Sequence, residues 1–245
     1  MKRTYSVLFI GNSYTYYNDM PTEIFKRIAE SGRVTVDVTA ITKGSHTLSR
    51  FADPYDSYGA SVERELTGDK KYDYVILQEQ SCRPITENAG DFYSAVRNLA
   101  ERIRYTGAEP ILYATWGREK DSPTLEQYGW TNESMTWKLA AAYRAIGGEL
   151  DIPVAYVGLA FYDVYSNRND IELYAADRTH PSYSGSYLAA VSLFSKIFGV
   201  DPTDIKFTGG LSAEDSEVLC RAAKNAICSD PAIPKEYITS SIGIK

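Results

Sequence analysis

The alternation of short β-rich runs with longer stretches of helical periodicity constrains the fold of this chain most. Residues 5–10 are a β-rich, largely apolar run, Tyr-Ser-Val-Leu-Phe-Ile. Residues 21–31 then place Ile24, Phe25 and Ile28 on one helical face, with Pro21 suited to an early helical position. Residues 34–41 alternate β-branched side chains and give a second strand. A loop-rich stretch is expected from residue 42 to about 58. Further strands are expected at 74–77, 110–116 and 154–157. Phe92, Val96, Leu99 and Ile103 mark one helix, and Met135, Leu139, Ala142 and Ile146 a second that ends near Gly147-Gly148. Leu188, Val191, Phe194, Ile197 and Phe198 mark a late helix, and Ser212 caps a last one running to about Cys228. The tail from residue 231 to 245 reads as irregular.

Five short strands separated by helices require a parallel sheet covered on both faces, so the fold class is α/β. The expected sheet order is flavodoxin-like, 2-1-3-4-5, with right-handed crossovers. In such a sheet ligands bind beyond the carboxyl ends of the strands, at the switch point between strands one and three. The 245 residues fit one such domain, and residues 1–245 carry no internal repeat or low-complexity segment that would divide them.

The formal net charge is −6 and there is no basic stripe, so a nucleic-acid partner is not expected. No apolar stretch approaches membrane-spanning length, so no membrane partner is expected either. The basic start Met1-Lys2-Arg3 leads into an apolar run, residues 7–10, too short for a signal peptide, and a cytoplasmic location is expected. Cys220 and Cys228 fall on one predicted helix, where eight residues span ~12 Å. A disulfide needs Cα atoms within ~7 Å, so these thiols and Cys82 are read as free. The cysteine and histidine spacings hold no structural zinc, and no phosphate-binding loop or dinucleotide fingerprint is present. No metal and no cofactor are expected.

The polar segments just beyond the strand ends carry the chemistry. Strand one ends in Gly11-Asn12-Ser13, strand two in Lys43-Gly44-Ser45-His46, and strand three in Gln78-Glu79-Gln80. After strand five and a long loop comes Asp177-Arg178-Thr179-His180-Pro181. All four segments point to one edge of the sheet. Ser13 is the nucleophile candidate, and a serine hydroxyl needs an adjacent base. The chain has only two histidines, and His180 is the base candidate. Pro181 biases His180 toward an extended conformation. Asp177, three residues earlier, can reach the imidazole across a turn and fix its tautomer. His46 is expected near the rim without a catalytic role.

The backbone N–H groups of Ser13 and Gly44 and one glutamine side chain would form the oxyanion hole. Gln78 and Gln80 share a face if the strand stays extended. One of them is expected to be an ordinary polar residue, and Gln78 is preferred as donor because it lies closer to the strand end. Asn12, Tyr14 and Trp116 are expected to line the substrate site. There is no G-x-S-x-G elbow, so an α/β-hydrolase reading fails.

The run Val7-Leu8-Phe9-Ile10-Gly11-Asn12-Ser13 resembles the first block of the SGNH/GDSL hydrolase superfamily, with Asn12 where the common motif has Asp. Gly44 resembles the glycine of its second block, and Asp177-x-x-His180 its fifth. Gln78-Glu79-Gln80 departs from the third block, usually G-x-N-D, and is similar to the carbohydrate-acetylesterase branches. The resemblance spans residue 7 to about residue 190. It implies a three-layer α/β/α sandwich, a Ser-His-Asp acyl-enzyme mechanism and no metal. It also implies a small-molecule ester as substrate, such as an acetylated sugar. The alternatives are a lysophospholipase or thioesterase, or a non-catalytic glycan-binding module on the same fold.

Overall fold

The central strand explains the architecture. In the computed structural model, which describes residues 3–227 and 231–239, β1 (Thr4–Gly11) is buried from Val7 onward on both of its faces. A strand covered on both sides reads as a continuous apolar run rather than an alternation. β2 (Thr35–Thr42), by contrast, is an edge strand with only Ile41 buried, and its threonines and Asp37 suit that edge. β3 (Tyr74–Leu77), β4 (Glu109–Tyr113) and β5 (Val154–Ala155) complete a parallel sheet of order β2-β1-β3-β4-β5. This is the order the sequence predicts, in a three-layer α/β/α arrangement.

The helices come in chain order. α1 (Ser13–Tyr16) opens directly after β1. A π-helical turn, Met20–Ile24, leads into α2 (Phe25–Ser31). α3 (Leu48–Ala52) and α4 (Ser57–Thr67) lie between β2 and β3. α5 (Ala89–Tyr105) precedes β4. α6 (Pro123–Tyr128) and α7 (Asn132–Leu150) precede β5. After β5 lie α8 (Val157–Asn167), α9 (Tyr183–Phe198), α10 (Ala213–Ile227) and α11 (Lys235–Thr239).

Side chains alternate along each strand, so two cores form, one per sheet face. Val7, Phe9, Ile76, Ile111 and Tyr113 pack with α2, α8, α9 and α10 through Phe25, Ile28, Phe161, Leu188 and Leu219. Leu8, Ile10, Val75, Leu77 and Leu112 pack with α4, α5 and α7 through Val62, Leu66, Val96, Leu99 and Ile146.

Several boundaries differ from the sequence reading. The expected loop from 42 to 58 holds α3 and the start of α4, whose Asp56 caps it by accepting from the Tyr58 and Gly59 N–H groups. The long loop expected after strand five begins as α8, with Val157, Ala160, Phe161 and Val164 on its buried face. α7 continues through both glycines to Leu150. β4 and β5 end earlier than expected. Ser212 accepts from the Asp215 N–H, as a cap does, whereas Cys228 lies outside the described residues. The tail contains α11.

Candidate active site

Gly11 makes the turn out of β1. A Cβ there would fall 2.4 Å from Thr15 Oγ1 and 2.7 Å from Gln78 Oε1, a distance no real Cβ tolerates. Asn12 follows with extended backbone and caps α1, its Oδ1 accepting from the Tyr14 N–H at 3.2 Å. Ser13 is thus the first residue of a short helix at the carboxyl edge of the sheet.

The partner residues come from the segment between α8 and α9. Tyr174 and Pro181 form an antiparallel bridge, and the Ala175 N–H donates to His180 O at 2.8 Å. Within this closed loop, Asp177 Oδ1 accepts from the N–H groups of Thr179 at 3.0 Å and His180 at 2.9 Å. Its Oδ2 lies 2.5 Å from His180 Nδ1. His180 Nε2 lies 2.7 Å from Ser13 Oγ. With the ring proton on Nδ1 and donated to Asp177, Nε2 accepts from the Ser13 hydroxyl. Burial works to raise the Asp177 pKa, but the bonds from the His180 ring and the two backbone N–H groups outweigh it and hold the carboxyl below its usual range. The structure therefore brings Ser13, His180 and Asp177, 167 residues apart at the extremes, into one hydrogen-bonded series.

Residues the sequence reading passed over hold the imidazole. The Tyr17 ring stacks on His180, centroids 4.3 Å apart and planes 8° from parallel. Asn18, at a φ of 54°, donates to Pro181 O, Ser182 O and Ser186 Oγ, fixing the His180 loop to the α1 segment. Asparagine is one of the few residues that adopts this left-handed geometry readily. The Tyr-Thr-Tyr-Tyr-Asn run after Ser13 was the available signal.

The opposite wall is the loop after β2 together with the end of β3. Gly44 lies against α1, where a Cβ would sit 3.2 Å from Tyr16 Oη. His46 is not a rim residue as expected. It is buried, with Nε2 3.0 Å from Asp56 Oδ1 and its ring edge-on to Phe51. Burial lowers its pKa against the pull of Asp56. Asn12 Nδ2 donates to His46 O at 3.1 Å, which favours Asn over the Asp of the common motif, since a carboxylate there would face a carbonyl oxygen. Glu79 is fully buried. Its carboxylate accepts from the Leu48 N–H at 3.1 Å and the Gln80 N–H at 2.6 Å, and burial pushes its pKa up to about 7.

The two glutamines part company. Gln78 is fully buried beneath the turn that carries Ser13, its Oε1 accepting from the Asn12 N–H and the Thr15 hydroxyl at 2.8 Å each and its Nε2 donating to Glu79 O. The preference for Gln78 as the oxyanion donor is corrected by this placement. Gln80 is partly exposed, and its Oε1 accepts from the Cys82 N–H at 3.2 Å, which leaves its amide nitrogen available.

The expected substrate-lining residues are also corrected. Trp116 is fully buried between Tyr14 and Phe161, with centroids 4.6 Å and 4.1 Å away, and its Nε1 donates to Thr179 O. Tyr14 and Asn12 are buried supports of the same turn. Large aromatic rings at strand ends pack here rather than face solvent. Among the described residues, no three histidine, cysteine or acidic side chains converge as metal ligands do, and no helix is long and apolar enough to cross a membrane.

No family model matches the sequence, and no curated protein matches it. Among solved structures, the chain is similar to a protein assigned as an SGNH hydrolase from Slackia heliotrinireducens. That match has 30% identity and a TM-score of 0.67 over 79% of this chain and 98% of that one. It is also similar in fold to a DUF4886 family protein from Bacteroides uniformis, at 18% identity and a TM-score of 0.80 over 95% of this chain and 98% of the other. A catalytic variant of an acetylxylan esterase from Geobacillus stearothermophilus shares the fold at 14% identity and a TM-score of 0.57, over 86% of this chain and 100% of that one.

Proposed function

The chain belongs to the SGNH hydrolase family, and from that premise we propose that it is a serine esterase that deacetylates small substrates, acetylated sugars among them, through Ser13, His180 and Asp177. The observation that carries the reading is the series Asp177 Oδ2, His180 and Ser13 Oγ, with separations of 2.5 Å and 2.7 Å. Acetylxylan esterases among the fold neighbours support the choice of an acetyl group.

Ser13 Oγ attacks the ester carbonyl while His180 Nε2 takes its proton. Asp177 holds the ring with Nδ1 protonated and stabilises the imidazolium. The carbonyl oxygen becomes negative, and the N–H groups of Ser13 and Gly44 and Gln80 Nε2 are the donors we assign to it. Collapse expels the alcohol, which takes the proton from His180, and leaves acyl-Ser13. His180 then deprotonates water, the water attacks the acyl carbon, and acetate departs as Ser13 Oγ regains its proton.

The test is hydrolysis of p-nitrophenyl acetate by the wild-type protein and by Ser13→Ala. Turnover that disappears in Ser13→Ala is expected. A folded protein that turns over no short acyl ester would overturn the enzyme reading and leave a glycan-binding module. A strong preference for long acyl chains would move the substrate to lysophospholipids or thioesters.

A further inference from the structure

Arg118 stands in the loop after β4. Its Nη1 donates to Thr179 Oγ1 at 2.6 Å and its Nη2 to Ser81 Oγ at 2.8 Å. Thr179 precedes His180 and Ser81 comes after Gln80, so one guanidinium spans from the base loop to the wall that carries the assigned oxyanion donor. Arg118 makes no ion pair among the described residues. Three other partly exposed arginines behave differently: Arg83 meets Asp91, Arg102 meets Glu63, and Arg168 meets Asp170. The Arg118 guanidinium meets two hydroxyls and, at 4.0 Å, the Cys82 Sγ, and its Nε, like that of Arg83, is buried without a hydrogen-bond partner. Asp177 does not supply the missing charge, since its oxygens are taken by the His180 ring and two backbone N–H groups.

Withdrawing a cation from water without a counter-ion is costly, and hydroxyl partners leave the charge uncompensated. Bracing Thr179 against Ser81 requires only N–H donors, so a full positive charge exceeds that task. A guanidinium presents parallel N–H groups that match the two oxygens of a carboxylate. We infer that Arg118 binds a carboxylate on the substrate, so that the esters this protein prefers are anionic. The inference rests on the ester-hydrolase reading for its substrate and extends that reading by one charged group.

Two matched pairs test it and separate the two places a carboxylate can occupy. Mono-p-nitrophenyl succinate against p-nitrophenyl butyrate places it on the acyl side, and 3-acetoxybenzoate against 3-acetoxybenzamide on the alcohol side. In one pair the anionic ester should have the higher kcat/KM at low salt, with the preference shrinking as salt is added. R118M should cut that preference by about tenfold or more, and R118K should retain part of it. No preference for the anion in either pair, or a preference that R118M leaves intact, overturns the inference. If R118M does not fold, a wild-type preference that high salt leaves untouched overturns it equally. If no ester is hydrolysed, the ester-hydrolase reading fails, and calorimetric titration of succinate and 3-hydroxybenzoate decides the role of Arg118. Binding by the wild type that R118M loses supports it, and no binding, or equal binding, contradicts it.

Discussion

Two walls meet at Ser13, and they are built on opposite principles. The base loop, from Leu173 to Ser182, is partly exposed, and bonds between residues two to nine apart close it on itself while Asn18, Trp116 and Arg118 tie it to the rest. The donor wall rests on the buried side chains of Asn12, His46, Gln78 and Glu79, and their bonds reach across the chain. Gln78 meets Asn12, Asn12 meets His46, Glu79 meets Leu48, and His46 meets Asp56. Proton-transfer groups must be open to substrate, whereas oxyanion donors act by being held still before charge develops. Damage to the first wall should therefore cost activity alone, and damage to the buried residues of the second should cost stability with it.

The largest break in this comparison comes from the base loop. Ser13→Ala and His180→Ala should each lower kcat by about 10⁴–10⁶, with the double variant little worse than either, because the groups act as a unit. Melting temperatures within a few degrees of wild type would accompany this loss. Additive losses in the double variant would contradict a shared mechanism.

Next come the two glutamines. Gln80→Ala should lower kcat by about 10²–10³ with little change in stability. Gln78→Ala should instead destabilise the fold by about 3 kcal/mol or more, since it strands two buried donors and leaves a cavity. Urea denaturation and steady-state kinetics of both variants measure the split. Equal stability losses at the two positions would erase the distinction between them.

The smallest expected effect is a change of slope with pH. Burial raises Glu79 from 4.5 to about 7. Between those values the folded state binds more protons than the unfolded one, so this group's contribution to stability is full below pH 4.5 and falls as pH rises toward 7. Glu79→Gln should remove that decline, worth at most about 3 kcal/mol, so the variant gains on wild type as pH increases. Parallel stability curves from pH 5 to 8 would show that Glu79 does not titrate in this range.

The juxtaposition of Ser13, His180 and Asp177 is legible in the sequence because the segments that carry them follow strands at one edge of the sheet and because histidines are scarce. Direction was not legible. Asn12, Tyr14 and Trp116 occupy the expected places, but their side chains turn into the protein, which spacing alone does not reveal. Gln78 and Gln80 would share a face only in a continuing strand. The strand ends at Leu77 and gives way to a turn in which the Arg83 N–H donates to Gln80 O, so the two amides separate. The sequence predicts loop where α8 forms because its tyrosines, phenylalanine and valines carry little helical preference, and packing decides their conformation. The burial of Glu79 and the Arg118 bridge depend on contacts between distant residues, where a single sequence carries no local signal.

Whether Ser13 is a nucleophile activated by His180 can be read directly by covalent labelling. A fluorophosphonate ester should add one phosphonyl group to the intact protein, and peptide mass spectrometry should place it on Ser13. His180→Ala should label far more slowly, while Gln78→Ala, where folded, should still label. A label on another residue, or labelling of Ser13 at an unchanged rate without His180, would contradict the account.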